Sequence, residues 1–264
     1  MLINQNGATG IQNAAAANQQ KIRSSLQKLA TGLRINSAAD DAAGLATSES
    51  LRSQIRGGQM AQDNANDALA MLQIADGSGQ QITDSLQRMR ELAIQSSNGT
   101  YNAQDRAAMQ QEYAALASEV SDITQGTTYN GIPLLSGGNL QFQVGDGQAG
   151  SVLSVSTAGL SSTPSFGDIS SQSGAQGAVG AIDSLLGSVN GFRAGLGANM
   201  NRLSAVSSNL GNSIYNTTSA ESQIRDTDYA SQSTQLALAQ ILNNSSTAML
   251  AQANMLPQGV MRLL

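Results

Sequence analysis

The stretch VNGFRAGLGANMNRLSAVSSNL, residues 189–210, decides the fold. Within it Val189, Leu196, Leu203 and Leu210 recur every seven residues. Phe192 and Val206 occupy intervening seam positions, and Asn199 supplies a polar one. A seven-residue apolar repeat with a second apolar position three or four residues on lays one stripe of a helix against a neighbour, the pattern of a coiled coil. Extended into its flanks, the helix spans 177–225 and is on the order of 70 Å long at about 1.5 Å per residue. A helix of that length cannot bury its own seam, so it needs partners along its length.

Partner helices are legible upstream. Ile22, Leu26, Leu29 and Leu33 step by four, three and four and fall on one helical stripe. Ala65, Leu69 and Leu72 continue the pattern, followed by Ile82, Leu86 and Met89. Met109, Tyr113, Leu116, Val120 and Ile123 make a further stretch, bounded by the turn signal Asn98-Gly99 and by Gly126. The last two read as a helical hairpin. Between these helices and the 177–225 helix the period changes: Leu140, Phe142 and Val144 alternate, Gly145-Asp146-Gly147 supplies turn residues, and Leu153 and Val155 alternate again. That pattern is a β-hairpin near 139–156. Residues 161–176, rich in Ser and Gly, read as a loop. The fold class is therefore mainly α, a bundle of long helices with a small β-hairpin region.

Composition removes whole classes of chemistry. The 264 residues contain no Cys, His or Trp, so disulfides, the common soft metal ligands and the commonest general base are missing. Charged residues are 12% of the chain, about half the usual globular share of roughly 25%. The net charge is -5, with no basic stripe interleaved with aromatics, which argues against nucleic acid as a partner. No window approaches the length of a membrane-spanning apolar run, and the N-terminus lacks the basic and apolar regions of a signal peptide. An exported chain of this kind would leave by another route.

The two ends share an unusual property. Residues 1–20 and 230–261 contain no charged side chain, yet both carry apolar residues, among them Ile3, Ile11, Leu236, Leu238, Ile241, Leu242 and Met249. Segments whose polar face is Asn, Gln and Ser gain little by folding alone and are expected to become helical when a partner covers them.

Smaller motifs resolve to structural readings. Asp40 and Asp41 lack the further oxygen ligands of a cation loop and read as capping residues. Gly145, Gly147 and Gly150 are turn glycines, since neither Lys-Ser/Thr nor a helix follows them. Asn98-Gly99-Thr100, Asn216-Thr217-Thr218 and Asn244-Ser245-Ser246 fit the short N-glycosylation pattern and are read as chance matches.

Ordered motifs then point to a family. LATGLRINSAADDAAGLA (29–46), LQRMRELA (86–93), Tyr129-Asn130-Gly131, IRDTDYA (224–230), and Ala251-Gln252-Ala253-Asn254 with Pro257-Gln258 are together similar to bacterial flagellins. The resemblance covers both ends and most of the chain. It implies an inner coiled-coil domain of residues 1–37 plus 230–264, ordered on assembly, and an outer helical domain of residues 38–229 without a large central insertion. It also implies a secreted structural subunit, not an enzyme, without cofactor or metal, that self-assembles into the flagellar filament for swimming. Ile22, Leu26, Leu29, Leu33, Leu238, Leu242, Met249 and Leu256 would form its assembly seam. Implied partners are further copies of the chain, filament cap and hook-junction proteins, and an export chaperone on the C-terminal helix. Arg88, Leu92 and Glu112 match the residues through which flagellins are bound by a host Toll-like receptor, and the Ser cluster from Ser161 to Ser173 matches outer loops that carry O-glycans. The chain departs from the family pattern in the Leu-poor segment 13–18, at Gln223, and at Ser231-Gln232, where an acidic residue is usual. An adhesin would want a sizeable middle domain with an aromatic groove, and a peptidase insert would want His-Glu-x-x-His. A signalling coil would want a membrane span. A hook-junction protein is the nearest rival within the family.

Overall fold

The computed structural model describes residues 2–145, 152–157 and 166–261, with side-chain environments given from residue 9 to 253 and at 255 within those ranges. Five helices carry the architecture: α1 (Leu2–Thr31), α2 (Ala42–Ser97), α3 (Ala103–Gly126), α4 (Gln172–Arg225) and α5 (Tyr229–Met261). Four short strands lie between α3 and α4. The chain forms two compact units, residues 1–55 with 215–264, and residues 56–214.

The second unit is built on two heptad seams. On α2, Ala61, Ala65, Ala68, Leu72, Ala75, Gly79, Ile82, Leu86, Met89, Ala93 and Ser96 are all buried, stepping by four and three without interruption. On α4 the seam runs through Ala175, Ala178, Ile182, Val189, Phe192, Leu196 and Leu203, with Leu185, Val206 and Leu210 partly buried at the same spacing. The helices run antiparallel, as Arg90 pairs with Asp183 at 2.6 Å, Arg193 pairs with Asp76 at 2.9 Å, and Gly58 faces Ile214. Small Ala and Gly line the early part of α2, where Gly58 and Gly79 meet the side chains of Ile214 and Arg193, and the larger Ile82, Leu86 and Met89 follow. Each fully buried large side chain stabilises by about 1.5–3 kcal/mol relative to exposure.

α3 opens at a capping box. Asn102 accepts from the amides of Gln104 and Asp105 at 2.8 and 2.9 Å, and Asp105 accepts from the Asn102 amide at 3.1 Å. Its Tyr113, Val120 and Thr124 face the core. Strands β1 (Thr128–Tyr129) and β2 (Ile132–Pro133) pair across Asn130-Gly131, both at positive φ, 50° and 78°. This is the two-residue hairpin turn that Asn-Gly favours. Strands β3 (Gly138–Gln143) and β4 (Val152–Thr157) form the expected hairpin, pairing antiparallel with Leu140 opposite Val155 and Phe142 opposite Leu153. The turn residues Asp146 and Gly147, with Gly150, lie outside the described residues.

One boundary differs from the sequence expectation. The loop of 161–176 ends at Ser171, because Ser171 caps α4: its carbonyl accepts from Ala175 and its hydroxyl accepts from the Gly174 amide at 3.1 Å. Residues 161–165 lie outside the described ones. The compact units divide at 55/56 and 214/215. The start of α2 and the end of α4 pack with the termini, through Arg225 on Glu49 at 3.2 Å and the Leu33 to Asp226 bridge.

Candidate assembly surface

In the first unit α1 and α5 lie antiparallel, joined near the α1 end by a short junction. The Arg34 amide donates to the Arg225 carbonyl at 2.6 Å, the Thr227 amide donates to the Gly32 carbonyl at 3.0 Å, and the Arg34 guanidinium donates to the Ile224 carbonyl at 2.5 Å. Gly32 sits at φ 72°, where a side chain would be strained, and so ends α1 and turns the chain. Asp228 caps α5 by accepting from the amides of Ala230 and Ser231. Asp41 caps α2 by accepting from Gly44 at 2.9 Å. Asp40 accepts from the amides of Ser37 and Asn36 and from the Ser37 hydroxyl, and these bonds, the Ser37 amide first, hold its carboxyl below the usual carboxylate range. The acidic pair is thus structural.

The α1/α5 seam is polar to an unusual degree. From α1 it takes Ile11, Ala15, Asn18, Ile22, Ser25 and Leu29. From α5 it takes Gln232, Leu236, Ala239, Asn243, Ser246, Leu250 and Ala253, at the same four-and-three spacing. Near its junction end the Gln232 amide donates to the Ser25 hydroxyl at 2.7 Å, and both side chains are buried. Hydrophobic patterning could not find this register, because Asn18, Ser25, Gln232, Asn243 and Ser246 interrupt it. The signal available was the 4-3 spacing itself, and Gln232 is one of the departures from the family pattern.

The sequence-predicted assembly seam therefore separates into two sets. Ile22, Leu29 and Leu33 are partly buried within the chain. Leu26 on α1 and Leu238, Leu242 and Met249 on α5 are exposed instead, because the intrachain seam runs one position away from them. With Ile241 and Met255 the α5 residues make an apolar stripe whose members are 50–64% exposed. Leu256 lies outside the residues whose side chains are described. Lys21, Ser24, Leu238 and Leu242 border a shallow groove of about 440 Å³ between the two helices. Soluble monomers rarely leave a contiguous apolar stripe uncovered, and such surfaces mark interaction sites.

In the second unit, Arg88 donates to Glu112 at 2.9 Å and to Glu91 at 3.0 Å on an exposed face, and the Glu112 bond, followed by that to Glu91, raises the affinity of its guanidinium for its proton. Leu92 does not join them. It is 2% exposed and faces the core, because it lies one helical turn on and toward the seam. Among the described residues no group of three acidic, His or Cys side chains could hold a metal ion, and no helix is long and apolar enough to cross a membrane.

Two seams of long antiparallel helices, one in each unit, a small hairpin in the second unit, and an uncovered apolar stripe near the C-terminus define a helical structural subunit. Residues 3–140 match the family model for the bacterial flagellin N-terminal helical region, and residues 179–264 match that for the C-terminal helical region. The chain belongs to the bacterial flagellin family, a family of structural proteins. It is 40% identical to the flagellin of Halalkalibacterium halodurans over 272 residues, covering all of both chains. It is also 40% identical to the flagellar filament 30.7 kDa core protein of Treponema maltophilum over 284 residues, again covering all of both. Among solved structures the crystal structure of Bacillus cereus flagellin matches 56% of this chain and 88% of its own, with a TM-score of 0.51 and 27% identity. A putative flagellar hook-associated protein from Vibrio parahaemolyticus shares the fold at a TM-score of 0.59 and 15% identity, covering 71% of this chain.

Proposed function

We propose that this chain is a secreted subunit that polymerises into the bacterial flagellar filament and serves swimming motility. The observation that carries this reading is the exposed stripe of Leu238, Ile241, Leu242, Met249 and Met255 on α5, outside its seam with α1. The polar α1/α5 seam contributes little burial, so in isolation the pair is marginal. Contact with further copies covers the stripe and orders the termini as an inner domain, with the remainder outward. Filament core proteins among the full-length relatives support the same reading. Before assembly an export chaperone covers the same stripe, and cap and hook-junction proteins meet the ends of the polymer.

The test is growth of purified chain on short filament seeds, followed by electron microscopy. The wild-type chain extends seeds into long tubes. Ile241→Ser with Met249→Ser leaves the monomer's helical circular dichroism unchanged and abolishes extension. Undiminished growth of that variant would remove the stripe from the assembly surface, and failure of the wild type to extend seeds would favour a junction protein.

A second reading concerns the host. The exposed Arg88–Glu112 pair fits recognition of free monomer by the Toll-like receptor for flagellin, with Leu92 shaping the site from beneath rather than touching the receptor. Arg88→Ala is expected to raise the monomer concentration needed for receptor activation, and an unchanged dose response would end this reading.

A further inference from the structure

The turn between α2 and α3 holds a motif that assembly does not use. The sequence contains Asn-Gly at 6–7, 98–99, 130–131 and 190–191. The first and last lie inside α1 and α4, where the glycine amide is a helix donor and the backbone cannot swing toward the Asn side chain. Asn130-Gly131 is held in the tight hairpin turn between β1 and β2. Asn98-Gly99 is exposed and lies outside any regular element.

Its local bonding sets it apart. The hydrogen bonds that fix this turn use the amides of Asn98, Thr100 and Tyr101, and none of them uses the amide of Gly99. The Asn98 side-chain oxygen accepts from the Thr100 amide at 3.2 Å, which folds the carboxamide back over the Asn98-Gly99 peptide and polarises its carbonyl carbon. The Arg106 guanidinium donates to the Asn98 carbonyl at 2.9 Å and to the Ser96 carbonyl at 2.8 Å, placing a fixed positive charge beside the atoms that become anionic. No atom stands within 4 Å of where a side chain on Gly99 would point.

We infer that Asn98-Gly99 is a site of spontaneous backbone-assisted deamidation, at which the folded chain converts Asn98 to Asp and isoaspartate. The Gly99 nitrogen attacks the Asn98 side-chain carbonyl carbon and forms a five-membered succinimide. The side-chain nitrogen leaves as ammonia, taking the proton that the Gly99 nitrogen gives up through solvent. One water molecule then opens the ring at either carbonyl, giving Asp or, where the backbone is rerouted through the side chain, isoaspartate. The balance is one water consumed and one ammonia released, with no oxidant or reductant. Either product adds a negative charge next to Arg106, and isoaspartate lengthens the main chain at the entry to α3. The chemistry marks the age of a subunit at the α2/α3 turn.

The experiment holds the full-length monomer in mildly alkaline heavy-oxygen water at physiological temperature, digests it under acidic conditions, and measures label uptake at each Asn-Gly by mass spectrometry. In the folded chain Asn98 is expected to convert at least about tenfold faster than Asn190, a barrier difference of about 1.4 kcal/mol or more, and faster than Asn130. In urea the three rates converge. Gly99→Ala, which the open space accommodates, slows conversion at Asn98 several-fold without changing the circular dichroism. A folded-state rate at Asn98 no greater than at Asn190 or Asn130, or no effect of Gly99→Ala, would overturn the inference.

Discussion

Gly174→Ala is a substitution whose sign depends on position within a single helix. Gly174 lies in the first turn of α4, and a Cβ there would stand 2.2 Å from the carbonyl oxygen of Asp168 and 2.9 Å from the Ser171 hydroxyl. Carbon and carbonyl oxygen normally meet at about 3.3 Å, so the overlap is about 1 Å. The obstacle is backbone, and it is held: Ile169 donates its amide to Gln110 at 2.8 Å, its carbonyl accepts from Ser96 at 2.5 Å, and Phe166 accepts from the Tyr113 hydroxyl. Relief requires lifting this segment or unwinding the first turn of α4, at a cost of about 1–3 kcal/mol for overpacking. Exchanging Gly for Ala within a helix returns roughly 0.5–1 kcal/mol, so the net is a loss of about 1–2 kcal/mol. Gly191, deeper in the same helix, is exposed and has nothing within 4 Å of the added carbon. There the propensity gain stands alone, and Gly191→Ala stabilises by about 0.5–1 kcal/mol. In urea titrations of the monomer followed by circular dichroism, the midpoint falls for Gly174→Ala and rises for Gly191→Ala. In thermal melts the stabilised variant moves up by about 2–4 °C and the other down by at least as much. A Gly174→Ala protein as stable as wild type would show that the Asp168 segment is not held as described. A Gly191→Ala protein less stable than wild type would mean that this face is covered within the monomer.

Other outcomes follow from the same geometry. Burial pushes the Tyr113 phenol up to about 12, while the unfolded chain ionises near the ordinary value of about 10. Its contribution is therefore complete below pH about 10 and fades as the pH rises toward 12. Tyr113→Phe should flatten that alkaline decline in denaturation midpoint while costing about 1 kcal/mol at neutral pH for the lost bond to Phe166. Asp40 shows the opposite limb: amide bonds, Ser37 before Asn36, hold its carboxyl low, so its contribution is present above the ordinary carboxyl value of 3.8 and is lost as the pH falls below it. Asp40→Asn should make acid stability less pH-dependent, measured by urea midpoints across that range. At the inner pair, Gln232→Ala leaves the buried Ser25 hydroxyl without its partner, and is expected to lower the stability of the α1/α5 pair by about 1–2 kcal/mol. Hydrogen exchange of α5 amides should report that loss, with those of α3 unchanged.

Much of this architecture was open to reading before any coordinates. The 189–210 heptads forecast α4 and its need for partners along its length, and the alternation at 140–144 and 153–155 forecast the hairpin; the antiparallel run of α2 against α4 and the register of β3 on β4 came from the structure. The 224–230 motif, read as a family mark, proved to be the junction at which Arg225 and Asp226 receive the turn after α1. Asn130-Gly131 was legible as a hairpin turn from its dipeptide alone, yet it had served only as part of a motif.

What the sequence by itself determined is periodicity: which residues share a stripe, where helices start and stop, and which chemistries the missing Cys and His exclude. Those are local properties, set by 3.6 residues per turn, capping and composition. Only the tertiary structure decided which of two adjacent stripes each helix buries. On α5, Leu236 and Leu238 are equally apolar, but Gln232, Ala239 and Asn243 lie on the stripe of the first, and the bond from Gln232 to Ser25 selects that stripe for α1. The second is left exposed. Leu92 went inward and Arg88 outward for the same reason, since packing in the core covers one and leaves the other in water beside Glu112. A choice between stripes depends on the partner's surface, which no window of one helix contains.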